Sequence, residues 1–244
     1  LALFLFKDTD EGAHLPPKVL RSDLVDGLIV TATFADDPLI GEILSSAIPF
    51  VLVGEHGAKG IWTVDADNEA GAVAAVDHLV AIGRRRIAAV TGPMRNAAVV
   101  ARRRGYERAL AAAGLVADPA LIVQSDFDEQ AAYVAAQALI DQRPDAIFAF
   151  SDAMGLGVLR ALRDAGLSVP DDVAVCGFDD LSPARTADPP LTTVAQHVER
   201  AGATAIELLT ERLAAREPAP ARQVVLPTEL VIRASTVGRD VDRR

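Results

Sequence analysis

Apolar residues along this chain gather into two kinds of pattern. Short continuous runs, rich in Val and Ile, predict strands at Leu1–Phe6, Gly27–Thr31, Ile48–Val53, Ile61–Val64, Arg86–Thr91, Leu121–Val123, Ala146–Phe150, Val173–Phe178 and Val224–Ile232. Between them, apolar positions return every three or four residues and predict helices at Pro38–Ser46, Asn68–Ile82, Ala97–Ala113, Glu129–Asp141, Ala153–Ala165 and Val198–Ala215. Gly83, Gly114 and Gly166 each follow one of these helices, the position of a left-handed C-terminal cap. The strand runs do not alternate with polar residues, which is the pattern of strands covered on both faces. Strands alternating with helices imply βαβ units and a mostly parallel sheet. One complete series occupies about residues 67–195, and a shorter one precedes it. No Gly/Ser-rich linker, charge block or repeat separates the two. EPAPAR at Glu217–Arg222 reads as a surface loop before the last strand.

Composition narrows the function classes. Half of the 244 residues are hydrophobic but only 5% are aromatic, which suits helices packed on parallel strands. The formal charge of −10 argues against this chain gripping a phosphate backbone by itself. A single cysteine, Cys176, excludes an internal disulfide framework and suits a reducing, cytoplasmic compartment. No apolar run approaches the roughly 18–20 residues that span a bilayer, so no membrane role is expected. LALFLF at the start lacks the basic segment and cleavage site of a signal peptide. The chain begins without Met and directly in a strand pattern, so further residues are expected upstream.

Catalytic signatures are scarce. The GLG of Gly155–Gly157 lacks a third glycine and falls inside a helix, so it is not a dinucleotide fingerprint. No Walker loop, GxSxG elbow or HExxH occurs. DTDEG at Asp8–Gly12 opens like a calcium loop, but its twelfth position is Val19 rather than Glu. His14, His56, His78 and His197 lack metal-ligand spacing, and His78 and His197 read as ordinary helix or helix-cap residues. No nucleophile pairs with a base, so neither an enzyme, a cofactor nor a metal is expected.

Binding residues are better represented. Two strand ends carry polar pairs, Ser151–Asp152 and Asp179–Asp180, at the carboxyl edge of a parallel sheet, where open α/β folds bind ligands. Asp152 stands where a cap of helix Ala153–Ala165 belongs. The LSPAR after Asp180 is no clear helix, which leaves the Asp179 carboxylate free to accept hydrogen bonds. In Arg102–Arg103–Arg104, successive side chains point about 100° apart, so one guanidinium can face the sheet edge while the others face water. Arg84–Arg86 reads as surface at the opposite edge. Phe127 reads either as a core residue or as a stacking platform.

Taken in order, these segments resemble the effector module of the lactose-repressor (LacI) family of transcriptional regulators. The matching pieces are VDGLIV at Val25–Val30, IPFVLV at Ile48–Val53, VDADNEAGAVAAVDHLVAIGRRRIAAVTGP at Val64–Pro93 and RRRGYERALAAAGL at Arg102–Leu115. AIFAFSDAMGLGVLRALRDAGLSVPDDVAVCGFDD at Ala146–Asp180, PPLTTVAQ at Pro189–Gln196 and LPTELVIRAST at Leu226–Thr236 complete the series. The resemblance implies a two-lobed, periplasmic-binding-protein-like α/β fold. The N-terminal lobe would take residues 1–66 with 196–225, and the C-terminal lobe 67–195 with 226–238. A cleft between them would close on a small effector, often a sugar or sugar derivative. The resemblance places Arg102, Asp179, Ser151, Phe127 and Gln196 at the effector, and Asp152, read as a helix cap near the cleft, is counted with them as a candidate effector-binding residue. Ser151 stands where Asn is common in the family, and Gly54 where an Asp or aromatic is usual. It also implies a homodimer through helix Ala153–Ala165 and the Ala184–Pro190 segment. Operator DNA would be read by an N-terminal helix-turn-helix that this chain does not include. The family's first strand and helix are likewise absent, and LALFLF matches its second strand. The alternative on the same fold is a solute-binding protein of a transporter, which would need a signal sequence.

Overall fold

The computed structural model describes residues 25–31, 34, 37–215 and 220–237. The expected strand Leu1–Phe6, the Asp8–Gly12 segment and His14 lie outside the described residues. The chain divides into two compact units: Leu1–Asp65 with Glu199–Val225, and Ala66–Val198 with Leu226–Arg244.

The first unit opens with β1 (Leu28–Thr31), helix α1 (Pro38–Ser46) and β2 (Phe50–Val53), followed by β3 (Trp62–Ala66). α1 starts where Asp37 accepts the Leu39 amide at 2.9 Å and Pro38 fixes the first turn. It buries Leu39, Ile40 and Ile43 against Phe50, Leu52 and Ile61.

The second unit runs through α2 (Asn68–Ala81), β4 (Ile87–Thr91), α3 (Ala97–Ala112), β5 (Ile122–Gln124), α4 (Glu129–Ile140), β6 (Ala146–Ala149), α5 (Asp152–Asp164), β7 (Ala174–Asp179), α6 (Ser182–Thr186) and β8 (Thr192–Ala195). The chain then forms α7 (Val198–Ala214), β9 (Gln223–Leu226), β10 (Glu229–Val231) and α8 (Ala234–Val237). The smaller sheet has the order β1-β2-β3-β9, and the larger has β10-β8-β7-β6-β4-β5. In the larger sheet β5, β4, β6, β7 and β8 run parallel, and only β10 is antiparallel.

Side-chain caps explain why four helices of the second unit start where they do. Asp67, Asn96, Asp128 and Ser151 each accept an amide from the first turn of α2, α3, α4 and α5. Two glycines let the helices cross closely. A Cβ on Gly105 of α3 would lie 2.3 Å from the Glu69 carbonyl of α2, and one on Gly157 of α5 would lie 2.3 Å from the Glu129 carbonyl of α4. The GLG of α5 is therefore a packing device.

Four expectations need correction. Thr192–Ala195, read only as part of a motif, is a fully buried central strand. Val224–Ile232 is not one strand: β9 and β10 belong to different sheets, with Pro227 and Thr228 between them. The LSPAR segment does form a short helix, α6. Arg84 is half-buried rather than a surface residue, donating to the Pro170 carbonyl at 2.5 Å.

Candidate functional site

Parallel strands end at one edge of a sheet, and in the second unit that edge collects the candidate residues. Ser151 follows β6, Asp179 ends β7, Gln196 follows β8, and Phe127 lies on the loop after β5. Arg102 reaches the same edge from α3. Of the three consecutive arginines only Arg102 is buried, at 5% exposure. Arg103 pairs with Glu107 at 2.8 Å, and Arg104 with Glu69 at 3.2 Å.

Every face of the Arg102 guanidinium that can be traced is engaged. Nε donates to Asn68 Oδ1 at 2.9 Å, and Nη1 donates to the Phe150 carbonyl. Nη1 also lies 3.5 Å from Asp179 Oδ1, and the Phe178 ring stacks beneath the guanidinium carbon at 3.7 Å. Gln196 Nε2 donates to the same Asp179 oxygen. The Asp179 carboxylate is therefore not free, as its flanking sequence suggested. It is the partly buried half of an ion pair, with an amide on its other side. Burial pushes its carboxyl above the ordinary value, while Arg102, Gln196 and the Asp152 backbone amide pull it back.

The backbone carrying this carboxylate is strained. Asp179 and Asp180 have φ of 120° and 59°, left-handed values that non-glycine residues rarely hold. Asp180 is pinned by Arg233 Nη2 at 2.5 Å and by Arg185 Nη2 at 3.0 Å.

The cap expected of Asp152 belongs to Ser151. The hydroxyl of Ser151 caps α5 by accepting the Met154 amide at 3.2 Å. Asp152 is the first helical residue and is fully buried. Its Oδ2 accepts the Leu181 amide at 2.7 Å, and its Oδ1 accepts the Thr193 hydroxyl at 2.5 Å. Burial raises its carboxyl to about 6, against the pull of the Thr193 and Leu181 hydrogen bonds. Phe127 is 42% exposed, and Gly92 leaves room for its ring: a Cβ there would sit 2.6 Å from Phe127 Cζ. It takes no part in the Arg102–Asp179–Gln196 contacts. A partly exposed ring against bare backbone fits a platform better than a core residue.

Three residues of this network were not legible as such. Asn68, 3% exposed, orients Arg102 and donates to the Ala66 carbonyl at 3.0 Å. Thr193 and Phe178 are wholly buried in β8 and β7. The clue for Asn68 was a polar residue directly after a buried strand, which reads equally as a cap.

Chemically, the arrangement can accept and donate hydrogen bonds. The Ser151 oxygen accepts an amide of its own helix, and burial pushes the Cys176 thiol well above its ordinary range. Among the described residues no group of three or more His, Cys, Asp or Glu is placed to hold a metal ion. Nor is any helix among them long and apolar enough to cross a membrane.

Residues 76–236 match the periplasmic binding protein-like domain family. The HTH-type transcriptional regulator CelR of Thermobifida fusca is 39% identical over 221 residues, covering 88% of this chain. The chain spans 65% of the length of that regulator. The solved complex of the transcriptional regulator CelR with cellobiose superposes with a TM-score of 0.85 at 37% identity, covering 89% of this chain and 68% of the other. A LacI family transcriptional regulator from Enterococcus faecium with bound ribose gives a TM-score of 0.81 at 28% identity, covering 90% and 82%.

Proposed function

Because the chain belongs to the LacI family of transcriptional regulators through its periplasmic-binding-protein-like domain, we propose that it is the effector-sensing core of such a regulator. The effector is a small polyhydroxylated molecule, a sugar or sugar derivative, held at the carboxyl edge of the larger sheet. The Arg102–Asp179–Gln196 constellation carries this reading. A partly buried carboxylate next to a planar guanidinium presents an acceptor beside donors, the pairing that suits vicinal hydroxyls. Phe127 offers an exposed ring nearby for the apolar face of a sugar. Ser151 and Asp152 serve the site by shaping its backbone, since their side chains are spent internally. The similar regulators were solved with cellobiose and with ribose, which supports a sugar.

Regulation follows from unequal affinity. An effector that binds one conformation better shifts the population toward it, by no more than that difference in free energy. The output is operator DNA, read by heads outside this chain and paired in a homodimer, in the cytoplasm where the DNA is. A chain carrying a net charge of −10 leaves phosphate binding to such heads. The relatives are regulators by name rather than transport proteins, which favours this reading over a solute-binding protein.

A thermal-shift panel of sugars, sugar phosphates and nucleobases, with cellobiose and ribose included, tests the proposal. A ligand at 100 times its dissociation constant adds about 2.7 kcal/mol of stability. Calorimetry on the best binder then compares Arg102→Ala and Asp179→Ala, each expected to weaken binding at least about tenfold. Unchanged affinity in both variants would remove the site, and a silent panel would remove the small-molecule effector.

A further inference from the structure

Asp152 carries more than its place in the helix demands. Among the described residues it is the acid with no exposed surface at all, yet no cation pairs with it directly. Its two oxygens are divided between two different elements. One takes the amide of Leu181, the residue after the left-handed pair Asp179–Asp180, and the other takes the Thr193 hydroxyl in the middle of β8. Thr193 Oγ1 in turn lies 3.4 Å from the Asp180 amide. Space for the carboxylate is reserved by Gly177, where a Cβ would lie 2.5 Å from Asp152 Oδ1. Two consecutive left-handed aspartates persist only where their surroundings over-determine the backbone, and these contacts do so. The backbone amide of Asp152 also favours the Asp179 carboxylate, so this one residue holds the turn from within and steadies the group it presents.

We infer that Asp152 is a positioning residue for effector binding: its buried carboxylate clamps the Asp179–Leu181 turn and so holds Asp179 in register with Arg102 and Gln196. This rests on the reading of those three residues as the effector site. Ionisation strengthens the clamp, because the hydrogen bonds from Thr193 and Leu181 favour the carboxylate over the protonated acid. The charged groups acting on it are Asp179 and Asp180 on the turn, themselves paired with Arg102 from α3, Arg185 from α6 and Arg233 after β10. The buried Cys176 of β7 feels its charge. Burial moves its titration to about 6, so the change falls in mildly acid solution. Asp179 is pushed up as well, so the wild-type response contains both groups and a neutral isostere at 152 separates them.

The test compares wild type, Asp152→Asn, Asp152→Ala, Arg102→Ala and Asp179→Ala, with cellobiose as the probe in calorimetry from pH 5 to 8. Hydrogen exchange of the Leu181 amide, which needs no ligand, is followed in parallel. Wild type should lose at least about tenfold in affinity between pH 7.5 and 5. Asp152→Asn keeps the shape, binds several-fold more weakly at pH 7.5 and loses much of that pH dependence. Asp152→Ala binds at least about tenfold more weakly, and its Leu181 amide exchanges at least about tenfold faster. Wild-type cellobiose affinity and unchanged Leu181 exchange in Asp152→Ala would overturn the clamp. If Arg102→Ala and Asp179→Ala lose binding while both Asp152 variants keep it, the clamp alone falls. If Arg102→Ala and Asp179→Ala bind normally, the effector site itself falls. Should wild type not bind cellobiose, Leu181 exchange decides the matter.

Discussion

The guanidinium of Arg102, stacked on Phe178 and paired with Asp179, is expensive to remove from either side. Truncation to alanine strands a buried carboxylate, and breaking a buried pair in this way costs about 3–5 kcal/mol. Urea denaturation of Arg102→Ala should show that loss, and Arg102→Lys should not restore it, because an ammonium cannot reproduce the planar fork or the stack. Asp152 affects stability as well as binding, with the opposite pH sense. Its carboxyl moves from 3.8 to about 6 on folding, so the folded chain holds a proton that the unfolded chain releases. The resulting stabilisation, at most about 3 kcal/mol, is complete below pH 3.8 and is lost as pH rises through about 6. Denaturation midpoints of Asp152→Asn measured between pH 4 and 7.5 should lack that slope. Acid thus strengthens the fold through Asp152 while loosening the turn it clamps.

At the scale of elements, the close crossings decide what the helices tolerate. Gly105→Ala and Gly157→Ala drive a methyl into a neighbouring helix backbone, which no rotamer change relieves, and each should cost about 1–3 kcal/mol. Gly202 in α7 has nothing within 4 Å of a Cβ, so Gly202→Ala should stabilise by up to about 1 kcal/mol in the same assay. A second junction ties α2, β8 and α8. His78 Nε2 meets Thr236 Oγ1 at 2.8 Å, Thr236 meets Thr192 Oγ1 at 2.8 Å, and the Ser235 hydroxyl donates to the Val175 carbonyl at 2.6 Å. Burial lowers the pKa of His78, so its contribution to stability is present near neutrality and is lost as pH falls below the 6.5 of the unfolded chain. His78→Gln should flatten that part of the acid limb in thermal denaturation. The junction also explains why β8 was hard to read. Thr192 and Thr193 look like loop residues in sequence, but both are fully buried because their hydroxyls are satisfied by Arg233 and Asp152.

For the whole molecule, the parallel α/β architecture was legible because strands covered on both faces must be continuously apolar. Val224–Ile232 misled because it joins two apolar runs, Val224–Leu226 and Leu230–Ile232, across Pro227, Thr228 and Glu229; Pro227 cannot continue a ladder, and the chain changes sheets there. Of the candidate site, Arg102, Asp179 and Gln196, which the structure brings together, could be named through their motifs. The left-handed backbone at Asp179 and Asp180 could not, because nothing in an Asp–Asp pair announces a positive φ. The clamp at Asp152 could not either, since a cap and a buried bridge look alike in one dimension. Assembly is tested at this scale too. The intact regulator should sediment as a dimer at micromolar concentration, and a monomeric mass would remove the paired-head mechanism.

The glycine beneath the Asp152 carboxylate has an evolutionary consequence. Positions 152 and 177 compete for one small volume, so their substitutions cannot be independent. In a library randomised at 152, 177 and 191 and selected for folding, alanine at 177 should be nearly excluded beside Asp152 and Leu191 and admitted where both are replaced by smaller residues. The glycine of the GFDD motif is thus the imprint of two side chains, Asp152 earlier in the chain and Leu191 later in it.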